Sequence, residues 1–175
     1  MKSTNIKNIS TKTGDKGFAS DYSGGRHQKD SALFEALGTI DELSSCLGIC
    51  FHLTNLKEIQ IIQGHLQQIN SMIATLPNHP NYAKLKLITD NEVAWLESFE
   101  EKIMEKVDLE KAFVLPGSDS TYEGSWIDFA RAVARRTERR FFAFVYAMKR
   151  TDLDQCGSYL NRLSDLLFLL ARASK

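Results

Sequence analysis

Apolar residues recur along this chain at the three- and four-residue spacing of amphipathic helices. Behind Asp30, read as an N-cap, Leu33, Leu37, Ile40, Leu43 and Leu47 fall on one face and predict a first helix. A second helix is predicted from near Asn55 to about Leu76, with Leu56, Ile59, Ile62, Leu66, Ile69 and Ile73 inward, and Pro77 and Pro80 break it. A third runs from near Thr89 to about Val107 on Val93, Leu96, Phe99 and Ile103, and it is strongly acidic. Residues 113–121 read as a turn leading into a long fourth helix over roughly 121–149. A fifth runs from about Thr151 or Asp152 to Ala173. Residues 1–29 read as a loop, with Gly14, Gly17, Gly24 and Gly25 among Ser, Thr, Asp and Lys, and no strand signal of any strength or internal repeat is found. The expectation is all-α: one domain over 1–175, a five-helix bundle (30–173) with an N-terminal loop suited to binding phosphate (1–29).

Composition narrows the function more than the fold. The 175 residues suffice for a core without disulfides or a metal. Lys plus Arg number 22, and Asp plus Glu also 22, so phosphate chemistry should be local and a general nucleic-acid binder is not expected. Cys46, Cys50 and Cys156 have no paired spacing, which argues for a reducing compartment and a cytoplasmic protein. Cys46 and Cys50 share a helix face but no neighbouring Cys or His completes a metal set, so they read as buried thiols. The four histidines form no metal motif. No apolar run of roughly 18 residues is present, so no membrane span is expected. The first ten residues lack the apolar core of a signal peptide and are too short and Arg-free for a transit peptide.

Four segments can carry chemistry. In Thr11-Lys12-Thr13-Gly14-Asp15-Lys16-Gly17 two glycines allow a tight turn, and lysines and hydroxyls supply donors for an anion, but the spacing is not a Walker A motif. Arg26 and Lys29 add cations; a plain solvated loop is the other reading. In 130–140, Arg131 and Arg135 are i,i+4, Glu138 lies over Arg135, Arg139 continues that face, and Arg136 and Arg140 point elsewhere. That segment suits phosphate, ion pairs to the acidic third helix, or an RNA-binding helix. Asn161 and Asp165 interrupt an apolar helix, either as a buried polar network or with Asn161 reading a ligand and Asp165 fixing an arginine. Asp41 and Glu42 sit mid-helix near Gly38, which would allow close helix approach. Either they form an exposed carboxylate pair, or Asp41 meets a cation from the Arg131–Arg139 group.

Taken together and in order, TKTGDKG (11–17), KDSALFEALGTIDELSS (29–45), FVLPG (113–117), ARAVARRTERR (130–140) and YLNRLSDLLFLLAR (159–172) resemble the PduO-type ATP:cob(I)alamin adenosyltransferases. The resemblance implies a homotrimeric bundle with ATP between subunits. It also implies transfer of the 5′-deoxyadenosyl group of ATP to the cobalt of cob(I)alamin, with release of triphosphate. It assigns Thr11, Lys12, Thr13, Gly14 and Lys16 to a triphosphate loop, with Arg26 and Lys29 as further phosphate contacts. Arg135, Glu138 and Asn161 match ATP-side positions. Asp41 and Arg131 match a salt bridge across the subunit interface beside the corrin, and Phe113 matches the aromatic beneath it. Mg²⁺ is implied on the phosphates, with protein ligands unassigned, and a reductase and a cobalamin-dependent acceptor enzyme are implied as partners. The chain departs from the family pattern in four places. Ser118 stands where a second glycine is usual, and Ala19 where Thr or Ser is common, though Ser20 follows. The stretch from Pro116 to Arg131 is longer by about two residues, and the sequence stops soon after the last helix. A non-catalytic protein that senses or delivers ATP or adenosylcobalamin is the alternative, and a ligand-free helical bundle the third.

Overall fold

The computed structural model describes residues 12–107, 115–118 and 120–174. Five helices dominate: α1 (Ala32–Thr54), α2 (Lys57–Ile73), α3 (Asp90–Met104), α4 (Tyr122–Met148) and α5 (Asp154–Ala173). Helix α4 packs between α1 and α5; α2 lies on α1, and α3 on α5. The predicted inward positions are the ones that pack: Ile40, Leu43, Leu47, Ile59, Ile62, Leu66, Ile69 and Leu96 are fully buried. Burial of these stripes, rather than helix propensity, is the main stabilising term.

Several boundaries move. Ser31, not Asp30, is the N-cap of α1, and it makes no side-chain capping bond. Asn55 does not open α2; it closes α1 in the left-handed region (φ 55°), which Asn tolerates, and donates its N–H to the Phe51 carbonyl. Helix α2 ends at Ile73, before Leu76, and α3 stops at Met104, short of Val107. Thr89 starts α3 with a reciprocal capping box to Glu92. A 3-10 turn covers Tyr82–Lys84.

The N-terminal segment holds strands that the periodicity did not predict. β1 (Phe18–Ser20) and β2 (Arg26–Gln28) form an antiparallel hairpin in which Ser20 faces Arg26. Each strand has three residues and only its central one is half-buried, so no alternating apolar pattern marks it.

Gly124 sets how closely α4 approaches the end of α5. A Cβ there would lie 3.0 Å from the Ser174 carbonyl oxygen and 3.1 Å from that of Ala171. Gly38 does not mediate helix approach: a Cβ there would meet nothing within 4 Å. All three cysteines are buried. A thiol–thiol hydrogen bond holds Cys46 below the ordinary thiol range and pushes Cys50 above it, and burial pushes Cys156 up to about 12.

Candidate active site

The hairpin is organised by Asp21. Its Oδ1 accepts from the backbone N–H of Ser23 (2.9 Å) and Gly25 (2.8 Å), and its Oδ2 lies 2.8 Å from His27 Nε2. The tip hooks onto the end of α2, where Tyr22 N–H donates to the Ala74 carbonyl at 2.8 Å and Leu76 N–H to Ser23 Oγ at 2.7 Å. In front of the hairpin, Lys12 adopts φ 58° and Gly17 φ 78°, which turns residues 12–17 back on themselves. Lys29 N–H donates to the Gly17 carbonyl (2.9 Å), and Arg26 Nη2 to the Thr13 carbonyl (3.1 Å). Lys29 Nζ lies 2.9 Å from where a Cβ on Gly14 would be. The predicted loop residues Lys12, Thr13, Gly14, Lys16, Arg26 and Lys29 therefore gather in one patch. Among the described residues none of its four cations has a carboxylate partner. Such a patch attracts a polyanion. Thr11 lies outside the described residues.

A second group forms on α4 and α5. Glu138 accepts from Asn161 Nδ2 at 3.0 Å, and Asn161 Oδ1 accepts from Arg162 Nη1 at 2.8 Å. Arg135 is exposed, and its guanidinium has no partner among the described residues, while its carbonyl accepts from Arg139 Nη1. Arg131 donates through Nε to Asp128 at 2.7 Å. Asn161 and Asp165 lie off the buried stripe of α5, which runs through Tyr159, Leu160, Leu163 and Leu167 instead. The buried-network reading therefore fails, and among the described residues of this chain Asp165 pairs with no arginine. Its charge instead helps burial push the nearby Glu100 carboxyl up.

Among the described residues Asp41 meets no arginine. Its Oδ1 accepts from Asn70 Nδ2 at 2.7 Å, in a groove of about 530 Å³ between α1 and α2. A further cavity of about 360 Å³ shares Asp41, Gln67 and Asn70 and reaches Asp21 and Tyr22, so the groove runs up to the hairpin. The α1 carboxylates that turn toward α4 are Glu42, paired with Arg136, and Glu35, 3.4 Å from Arg140. Thr137 Oγ1 adds a bond to the Thr39 carbonyl at 3.0 Å. These contacts decide among the ion-pair partners open to the arginine segment: Arg136 and Arg140 pair with α1, and α3 pairs with α5 through Glu97 and Arg162. Phe113 lies outside the described residues. Just after it, Leu115–Ser118 closes a turn with Gly117 at φ 81° and Ser118 N–H on the Leu115 carbonyl, so Ser118 fits without strain.

Residues 9–174 match the sequence profile of the cobalamin adenosyltransferase family. The chain belongs to that family. Corrinoid adenosyltransferase MMAB of Homo sapiens is 41% identical over 98% of this chain and 70% of its own length. Corrinoid adenosyltransferase PduO of Salmonella typhimurium is 34% identical over 94% of this chain and 49% of its own length. A solved variant of a PduO-type ATP:corrinoid adenosyltransferase from Lactobacillus reuteri, complexed with cobalamin and ATP, superposes with a TM-score of 0.82 at 30% identity, covering 94% of this chain and 92% of that one.

For a cobalamin adenosyltransferase, the unpaired cations matter most. They fall into two groups, the hairpin patch and the α4–α5 face, and among the described residues no hydrogen bond or ion pair joins them. The motif reading missed Asp21, Asp128 and Arg172. Asp21 is signalled by the Asp-x-Ser-Gly-Gly turn, and Asp128 by being a carboxylate within an apolar stripe of α4.

Proposed function

We propose that this chain moves the 5′-deoxyadenosyl group of ATP to the cobalt of cob(I)alamin, giving adenosylcobalamin and triphosphate, at a site shared between copies of the chain. The observation that carries the reading is the set of cations without carboxylate partners among the described residues: Lys12, Lys16, Arg26 and Lys29 on one patch, Arg135 on another. Attack at C5′ drives charge onto the departing triphosphate, so preorganised cations there favour the transition state over the bound nucleotide. Thr11, Thr13 and the Gly14 turn supply donors to the phosphates. Arg135, with Glu138 and Asn161, holds the nucleotide from the neighbouring copy and aligns C5′ with the cobalt. Asp41 and Arg131 are assigned to a salt bridge between subunits beside the corrin. Phe113 is assigned to the apolar wall below it, where exclusion of the cobalt's lower ligand makes Co(II) easier to reduce.

The separation of the two cationic groups within one chain supports a closed oligomer, read as a homotrimer. Among the described residues no three His, Cys, Asp or Glu side chains gather as a metal site. Mg²⁺ is read as arriving with the nucleotide, its protein ligands unassigned. Among the described residues no helix is long and apolar enough to cross a membrane. A cytoplasmic location, a reductase that supplies Co(I) and an acceptor enzyme for the product complete the reading.

The test is anaerobic: purified chain, MgATP and cob(I)alamin, followed by visible spectra. Light-sensitive adenosylcobalamin should form at a rate set by enzyme concentration. Tight MgATP binding without conversion would instead favour a sensor or delivery protein, a reading that the lengthened 116–131 stretch motivates.

A further inference from the structure

Helix α4 carries a carboxylate that no part of the reading above uses. Asp128 is 6% exposed and lies one turn before Arg131. Its Oδ1 accepts from Arg131 Nε at 2.7 Å and lies 3.9 Å from Arg172 Nη2, on the last turn of α5. Arg172 is 8% exposed, and its Nε is buried without a partner among the described residues, while its guanidinium sits 5.5 Å over the Phe168 ring. One carboxylate thus stands between two guanidiniums, and the cluster carries one positive charge in excess.

The two contacts are unequal. If Asp128 served only to neutralise the buried Arg172, the shorter contact would go to Arg172. It goes instead to Arg131, the more exposed of the two, with 26% of its side chain accessible. The contact uses Nε alone, and both terminal nitrogens of Arg131 have no partner among the described residues. The side chain is held at its root, and its two-pronged end remains available for another carboxylate or phosphate. A long side chain fixed in advance loses less rotamer freedom when it binds.

We propose that Asp128 is a positioning residue for Arg131, anchored from behind by Arg172. The proposal rests on the reading that Arg131 belongs to the active site.

The test is a double-mutant cycle on the full chain: wild type, Asp128→Asn, Arg131→Lys and the double variant, each with kcat, KM for ATP and Tm. A charge-assisted hydrogen bond of this kind predicts that Asp128→Asn lowers kcat by about 10- to 100-fold with KM for ATP little changed. In the Arg131→Lys background the same substitution should change kcat by less than about twofold. Wild-type kcat in Asp128→Asn, or an equal loss in both backgrounds, overturns the proposal. Wild-type turnover in Arg131→Lys also overturns it, and is recognisable as failure of the site assignment because it appears before Asp128 is altered. If Asp128→Asn does not fold, Asp128→Glu takes its place: it keeps the charge beside Arg172 but displaces Arg131, so kcat should still fall. Unchanged kcat in that variant overturns the proposal.

Discussion

Two buried arginines sit at opposite corners of the bundle, and the chain treats them differently. Arg150 is 6% exposed and makes four side-chain hydrogen bonds. Its Nε and Nη2 clamp the two oxygens of Asp152 at 2.7 Å each, while Nη2 and Nη1 reach the Met72 and Ile73 carbonyls at 2.9 and 3.4 Å. Those carbonyls belong to the last turn of α2, where the helix leaves acceptors unpaired, so one side chain ties the α4–α5 connection to α2. Tyr82 completes the corner by donating its hydroxyl to Asp152 at 2.6 Å. Burial alone would raise the Asp152 carboxyl, but these hydrogen bonds outweigh it and hold the carboxyl below its ordinary value. Arg172 is buried almost as deeply, yet it has one ion pair at 3.9 Å and an orphan Nε. Helix α4 repeats the contrast in its own arginines: Arg136 and Arg140 face α1 carboxylates, and Arg135 faces none. Arg150 ties three elements of the fold together, whereas the guanidinium of Arg135, assigned above to the nucleotide, has no partner among the described residues.

The largest expected effect tests the bonded corner. Arg150→Ala leaves Asp152 uncompensated and should destabilise by about 3–5 kcal/mol, lowering Tm by roughly 6–20 °C in calorimetry. Next comes the unbonded set. Arg135→Ala should cut turnover at least ~100-fold, about 2.7 kcal/mol, while Tm moves by no more than roughly 2 °C. A large Tm loss here would break the distinction between the two kinds of arginine. Lys12→Ala should behave in the same way.

A smaller effect comes from a buried group that is neutral. His65 packs edge-on against Trp95 and Tyr159, with Nδ1 3.0 Å from the Tyr159 hydroxyl, and burial pushes its pKa below the ordinary 6.5. The unfolded chain therefore binds a proton at higher pH than the folded chain does. This stability is fully present above about pH 6.5 and is lost as pH falls from there through the folded pKa. Urea titrations across that range should show a slope that His65→Gln flattens. The smallest effect belongs to the exposed seam: Arg136 and Glu42 are 44% and 51% exposed, so Glu42→Gln should cost less than about 1 kcal/mol in the same assay.

The helices were legible because each buries a regular stripe, and α4 and α5 end within a few residues of their predicted limits. The hairpin was not, because side-chain hydrogen bonds from Asp21 hold it rather than an alternating apolar pattern. Within the candidate site, the loop patch was readable from its glycines and lysines. The partners of α1 were not. Asp41 and Glu42 are consecutive and so lie about 100° apart around the helix, and both occur beside apolar residues. The sequence does not say which one turns toward α4. Asp128 was hidden by its surroundings, an arginine-rich segment, and one of its partners, Arg172, is 44 positions away in sequence but adjacent in the fold.

The chain has two tryptophans, and the fold sets them apart. Trp95 lies against the imidazole of His65, with ring centroids 5.4 Å apart. Trp126 stands between Tyr122 and Phe129 on the outer face of α4, at 6.5 and 5.9 Å, and both of those rings are exposed. Intrinsic fluorescence thus divides into two channels. In a Trp126→Phe chain the emission should respond to protonation of His65 beside Trp95; in a Trp95→Phe chain it should report the surroundings of the exposed aromatic stripe.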